Sequence, residues 1–207
     1  MTRALLIAAC VTACACSKAE PPSSAAIVTP PPAAAASSAG TGRIAGQAHT
    51  TGTAVVVLEP KTARTFFPPD EKPVMDQAGL TFGPELLLVR TGFPVEFRNS
   101  DDTLHNVRVS HEETRTSAFN VAIPTGESYT YTFERDGFYR VGCDIHPAMA
   151  ASVFAASSPF TTVAAVDGSF AFADVPAGAW TVTVYADGKR LRKDVEVAGG
   201  ETSVTIE

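Results

Sequence analysis

Cysteine is nearly missing from the body of this chain. Four occur in 207 residues, and three of them, Cys10, Cys14 and Cys16, crowd the N-terminal run, which leaves Cys143 alone downstream. That excludes an intramolecular disulfide framework for the body and makes Cys143 a free thiol or a metal ligand. Lys and Arg are few and unclustered, 16 against 22 Asp and Glu, for a net charge of -6. Nucleic-acid binding is thereby excluded, because phosphate needs clustered cations; an acidic surface serves solubility or steers a basic protein partner. No helical period runs longer than a turn or two, which removes the helical fold classes. The attachment motif C-x-x-C-H is also absent, and with it covalently held haem.

What is present at the N-terminus reads as an address. Arg3 precedes the apolar stretch ALLIAACVTACAC, too short to span a bilayer and followed by small residues, as in an export signal. Val11-Thr12-Ala13-Cys14 has the form of a lipobox, with Cys14 the lipidated residue and Cys16 the second choice. Lipidation would tether the protein to a membrane surface by an anchor alone and make it an exported, periplasmic or cell-surface protein. Residues 1–16 are therefore expected to be a signal peptide. Residues 17–42, dense in Pro, Ala and Ser, are expected to be a disordered linker that cannot bury enough apolar surface to offset its ordering.

From Arg43 onward the chain predicts an all-β fold. AVVVLE, LLLVR, PVEFR, LHNVRVS, SYTYTFE and GFYRVGC are short β-rich runs broken by Gly, Pro, Asn and Asp, the pattern of a sandwich or barrel. In residues 158–207, Asp167-Gly168, Asp187-Gly188 and Gly199-Gly200 separate the runs VAAV, SFAF, TVTVYA, VEV and SVTIE, and are expected to turn hairpins. Phe170 and Phe172 share one strand face, as do Trp180, Val182 and Val184, which predicts a second, small sandwich core.

The run CDIHPAM, Cys143 to Met149, gathers a thiol, an imidazole and a thioether at the end of one strand. Alternation places Tyr139, Val141 and Cys143 on one face, and His105, Val107 and Val109 on one face, both apolar and therefore inward. Cys143 and His105 thus arrive in the same core, while His146 and Met149 come from the loop that follows. Two imidazoles, one thiolate and one thioether form a blue-copper set, a trigonal plane with a weak axial Met. Zinc competes, but its structural sites prefer Cys and His alone. Only four His are present, none in an H-x-H pair, so a second copper centre of the oxidase or nitrite-reductase kind lacks ligands and an electron carrier is expected rather than an enzyme.

FRNSDDTLHNV followed by CDIHPAM resembles the cupredoxins, and the C-x-x-H-P-x-M loop is similar to that of amicyanin. The wider VMDQAGLTFGPELLLVRTGFPVEF resembles the plastocyanin-like proteins labelled methylamine-utilisation proteins, and the likeness covers about residues 43 to 190. It implies a Greek-key β-sandwich binding one copper ion, Cu(I)/Cu(II), with His105, Cys143 and His146 equatorial and Met149 axial. It further implies that Asn106 lies behind the ligands, its backbone N–H approaching the thiolate and its side chain tying the ligand loops together. His146, Pro147 and Ala148 would be the exposed port for electrons, docking weakly with exported redox proteins such as c-type cytochromes or a dehydrogenase. DGSFAFADVPAGAWTVTV resembles the carboxypeptidase-regulatory or transthyretin-like modules. Their opening G-x-I-x-G strand has its counterpart far upstream, in GRIAGQ, so residues 43–157 form the cupredoxin-like domain with 43–60 either contributing strands to the C-terminal sandwich or belonging to a simple tandem. A non-redox copper-binding or copper-delivery protein is the alternative function.

The remaining conspicuous residues are expected to be ordinary. His111, beside two Glu, reads as part of a solvated turn, His49 as a polar loop residue, Met75 as a strand-end core contact, and Asp101 with Asp102 as loop solvation.

Overall fold

The computed structural model describes residues 40–207, so the expected export signal, Cys14, Cys16 and nearly all of the expected linker lie outside the described residues. The described residues contain no helix and sixteen strands. The first eight are β1 (Thr41–Ala48), β2 (Val55–Pro60), β3 (Val74–Ala78), β4 (Thr81–Gly83), β5 (Leu86–Arg90), β6 (Pro94–Asn99), β7 (His105–His111) and β8 (Ser117–Ile123). The rest are β9 (Ser128–Thr132), β10 (Gly137–Gly142), β11 (Ala150–Ala156), β12 (Thr161–Val163), β13 (Ser169–Pro176), β14 (Gly178–Ala186), β15 (Lys189–Val197) and β16 (Gly200–Ile206).

They make four sheets. One sandwich pairs β4-β3-β6-β9 with β5-β11-β10-β7-β8, and the other pairs β13-β1-β16 with β12-β2-β14-β15. The first encloses Met75, Phe97, Val107, Phe133, Val141 and Cys143; the second encloses Ile44, Leu58, Phe172, Trp180 and Val184. A third apolar layer, formed by Val55, Val57, Phe154, Ala156 and Tyr185 with Leu86, Leu88 and Phe138 against it, joins the two.

The seam explains two runs that show no alternation. In β2, Val56 and Leu58 face the second core while Val55 and Val57 face the seam. In β11, Val153 and Ala155 face the first core while Phe154 and Ala156 face the seam. A strand covered on both sides is apolar throughout, as these are.

β1 and β2 pair only with C-terminal strands: β1 runs antiparallel to β13 and parallel to β16, and β2 lies between β12 and β14. The first sandwich is therefore built from strands between Val74 and Ala156, with the second built from the segments on either side of it. The GRIAG pattern has a steric cause in this arrangement. A side chain at Gly46 would run into the Phe170 ring and reach Val204 Cγ1 at 2.7 Å, so only glycine lets both neighbours cross β1.

Three expectations need correction here. Only Asp187-Gly188 turns a paired hairpin, with Ala186 opposite Lys189 and both central residues at positive φ, 53° and 68°. Asp167-Gly168 and Gly199-Gly200 instead carry the chain from one sheet to the facing sheet. Turn chemistry fixes a reversal but not which partner the next strand takes. The run VAAV is a strand only at its start, because β12 ends at Val163.

Phe154 fills the seam, with its ring centroid 4.8 Å from that of Phe138 and 4.8 Å from that of Tyr185. Phe154→Ala should cost about 3–5 kcal/mol, the usual cost of emptying a buried aromatic site. Thermal unfolding would check this; a loss under about 1 kcal/mol would mean that the seam closes around the gap or contributes little.

Candidate metal centre

His105 opens β7 and pairs with Ile123 of β8, which fixes its backbone, and Cys143 follows the last residue of β10. Tyr139, Val141 and Cys143 are all buried, as are His105, Val107 and Val109, so both alternation patterns point inward as expected. The loop 143–149 is closed on itself. Met149 N–H donates to His146 O at 2.9 Å across a turn with Pro147 at its second position, where the ring presets φ, and Cys143 N–H donates to Met149 O at 3.3 Å.

Three donor atoms converge. Cys143 Sγ lies 3.9 Å from His105 Nδ1 and 3.9 Å from His146 Nδ1, and the two nitrogens are 3.0 Å apart. The point equidistant from all three is about 2.1 Å from each, matching the roughly 2.0–2.3 Å of metal–nitrogen and metal–sulfur bonds. Among the described residues this is the one group of three or more His, Cys, Asp or Glu side chains placed to hold a metal ion. Met149 is buried in the same core cluster as Cys143.

The surroundings orient these donors. Asp101 Oδ2 lies 2.8 Å from His105 Nε2, which commits Nε2–H to the carboxylate and leaves Nδ1 as the bare lone pair that faces the sulfur. Asp101 is itself held by backbone donors, Gly79 N–H at 2.5 Å and Leu80 N–H at 3.0 Å. Those two form the β3–β4 turn at φ 61° and 59°. Leucine rarely adopts that region, and the carboxylate bonds offset the strain. The Leu80 N–H first, then His105, holds the Asp101 carboxyl below the ordinary carboxylate range. Asp101 is thus no mere loop solvation, which corrects the sequence reading; Asp102 is exposed, as expected. Asn99, buried at the end of β6, spans the approach loop: it donates to Thr103 O and Ile123 O, both at 2.8 Å, and accepts from Asp101 N–H at 3.0 Å.

Asn106 ties the two ligand segments together. Its Oδ1 accepts from Asp144 N–H at 2.6 Å and Ile145 N–H at 3.3 Å and lies 3.3 Å from Cys143 Sγ. The backbone N–H that reaches the sulfur is that of His146, at 3.4 Å. Arg108 first, then Asn120, keeps the Asp144 carboxyl below its ordinary range. His146 is half-buried, and Pro147 and Ala148 are exposed beside it.

His111 corrects another expectation. It is buried rather than solvated: Thr114 N–H donates to Nδ1 at 3.2 Å, Nε2 faces Asp136 O at 3.3 Å, and the ring stands edge-on to Tyr139. It shares the parity of His105, Val107 and Val109, so carrying the alternation one step further would have found it. Met75 is a core residue and His49 is exposed, both as read from sequence.

Residues 70–155 match the family described as copper binding proteins, plastocyanin/azurin family. This segment is a cupredoxin domain. Its family binds copper, and the His-Cys-His group with Met149 nearby fits that ion. Among solved structures, the oxidized state of an amicyanin mutant is 24% identical over 43% of this chain and 86% of its own, with a TM-score of 0.38. The reduced state of another amicyanin mutant is 22% identical over 48% and 98%, with a TM-score of 0.38. No curated protein matches the chain.

Removing the carboxylate behind His105 tests the orienting role in the cupredoxin site. Asp101→Ala should weaken copper binding by about 10–100-fold in a competition titration against a chelator. Unchanged affinity would mean that strand pairing alone orients the imidazole.

Proposed function

We propose that this chain is an exported, membrane-tethered blue-copper protein that transfers single electrons between redox partners. His105, Cys143 and His146 would hold the copper, with Met149, buried in the same core cluster as Cys143, as the weaker fourth donor. The observation that carries the reading is the triangle of Sγ and two Nδ1 atoms, whose centre lies at bonding distance from all three. The domain division that goes with it is a copper-binding sandwich inserted in a smaller carboxypeptidase-regulatory-like one. The export signal, the lipid anchor at Cys14 or Cys16 and the periplasmic or cell-surface location rest on the sequence pattern alone.

Bound copper supplies the one-electron Cu(I)/Cu(II) couple. The chain's own part is to keep the donors still and to admit a partner at one edge. His105 is 0% exposed and bonded to Asp101, and Cys143 is held by the loop hydrogen bonds, so neither needs to move when the charge of the centre changes. His146 reaches partway to solvent, which makes its imidazole edge the port. Leu80, Leu104 and Ile145 are 52%, 47% and 47% exposed on the three segments that carry or brace the donors. With Pro147 and Ala148 they offer an apolar rim for brief docking of an exported redox protein, a c-type cytochrome or a dehydrogenase.

Copper added to the chain should produce the intense thiolate-to-copper visible band, and Cys143→Ser should abolish it; a spectrum that the substitution leaves unchanged would refute the assignment. Reversible oxidation and reduction of the loaded protein supports a carrier, whereas copper that is stripped on reduction favours delivery. Met149→Leu should keep the copper and raise the reduction potential, as loss of the axial donor disfavours Cu(II). A lower potential would take Met149 out of the axial position.

A further inference from the structure

Asp144 is the one carboxylate inside the ligand loop, and both of its ends act on Asn106. Its backbone N–H donates to Asn106 Oδ1 at 2.6 Å, while its carboxylate accepts from Asn106 Nδ2 at 3.2 Å. Asn106 Nδ2 also donates to Asn120 Oδ1 at 2.8 Å, and Asn120 Nδ2 returns to the Asp144 carboxylate at 3.0 Å. Arg108 Nε completes the ring with a 2.7 Å bond to the other carboxylate oxygen. The consequence concerns the amide of Asn106, whose two ends are near-identical in shape and opposite in hydrogen-bonding sense. Turned over, Nδ2 would meet the N–H groups of Asp144 and Ile145, donor against donor, and Oδ1 would meet the carboxylate. The acceptors at Asp144 and Asn120 therefore fix Oδ1 toward the sulfur of Cys143.

We propose that Asp144 is a positioning residue of the copper centre, orienting Asn106 against the Cys143 sulfur, and that its charge, offset by Arg108, biases the centre toward Cu(II). This rests on the copper reading above. A negative charge one residue from the sulfur favours the more positive oxidation state, and a cation beside that charge cancels part of the bias. The pair is half exposed, at 50% and 49%, so salt weakens both effects.

The test uses full-length copper-loaded protein and reads the reduction potential and the visible band of Asp144→Asn, Asp144→Glu and Arg108→Gln. Asp144→Asn should shift the copper couple several-fold toward Cu(I), a tenfold shift being about 59 mV for one electron. Arg108→Gln should shift it the opposite way, and Asp144→Glu should return the potential toward that of the unsubstituted protein. Loosening of the loop alone would move Asp144→Asn and Arg108→Gln in the same direction, and that result overturns the proposal, as does an unshifted potential in Asp144→Asn. Should Asp144→Asn lose the metal, Arg108→Gln still decides: a lowered potential supports the proposal and an unchanged or raised one refutes it. Absence of the band in the unsubstituted protein overturns the copper reading itself, and this proposal with it.

Discussion

Three bare donor atoms held together at the edge of an apolar core are the constraint around which the first sandwich is arranged. A sulfur and two ring nitrogens in an apolar core would be costly if they faced only one another, since buried polar groups need partners. Their convergence is tolerable because an ion can satisfy all three at once, and the free energy of that binding stabilises the fold that brings them together. Everything close by serves to hold lone pairs in direction: Asp101 takes the far nitrogen of His105, Asn106 braces the loop behind the sulfur, and the turn at Pro147 aims His146.

Those braces come from distant parts of the chain, which explains what could be read in one dimension and what could not. The inward direction of Cys143 and His105 follows from strict alternation, a property of a single strand. The loop ligands follow from short spacing within CDIHPAM. Asp101 reads as solvent decoration in the sequence because its value depends on the β3–β4 turn, more than twenty residues upstream, whose positive φ at Gly79 and Leu80 exposes two N–H groups to it. Asn120 and Arg108 were invisible for the same reason, since neither is a metal ligand and each acts only through Asp144.

The fold shows a parallel division. Strand runs were legible, as were the buried faces of Phe170, Phe172, Trp180, Val182 and Val184. The partner of each strand was not: the Asp167-Gly168 turn chemistry is the same whether the chain returns beside itself or crosses to the facing sheet. Continuous apolar runs carried more information than their periodicity suggested. AVVVL in β2 and SVFAA in β11 lack alternation because each is covered on both faces, and two such strands imply a stack deeper than a single sandwich.

An inserted domain is well tolerated when the chain enters and leaves it at nearly the same place. Here the entry at Leu58 and the exit at Ser158 and Phe160 touch: Leu58 N–H donates to Phe160 O at 2.9 Å, and Ser158 Oγ donates to Leu58 O at 2.6 Å. The junction is also tied to the start of β10, because Ser157 N–H donates to Asp136 Oδ2 at 3.0 Å, immediately before Gly137. β10 and β7 both run between that end and the metal centre, with His111 at one end of β7 and His105 at the other. Six strand steps of about 3.3 Å place the donors about 20 Å from the junction. The second sandwich thus grips the first by its far end and by the seam face, while the edge of His146 stays open. The edge proposed as the port therefore lies at the opposite end of the first sandwich from its junction with the smaller domain, separated from it along the length of two strands.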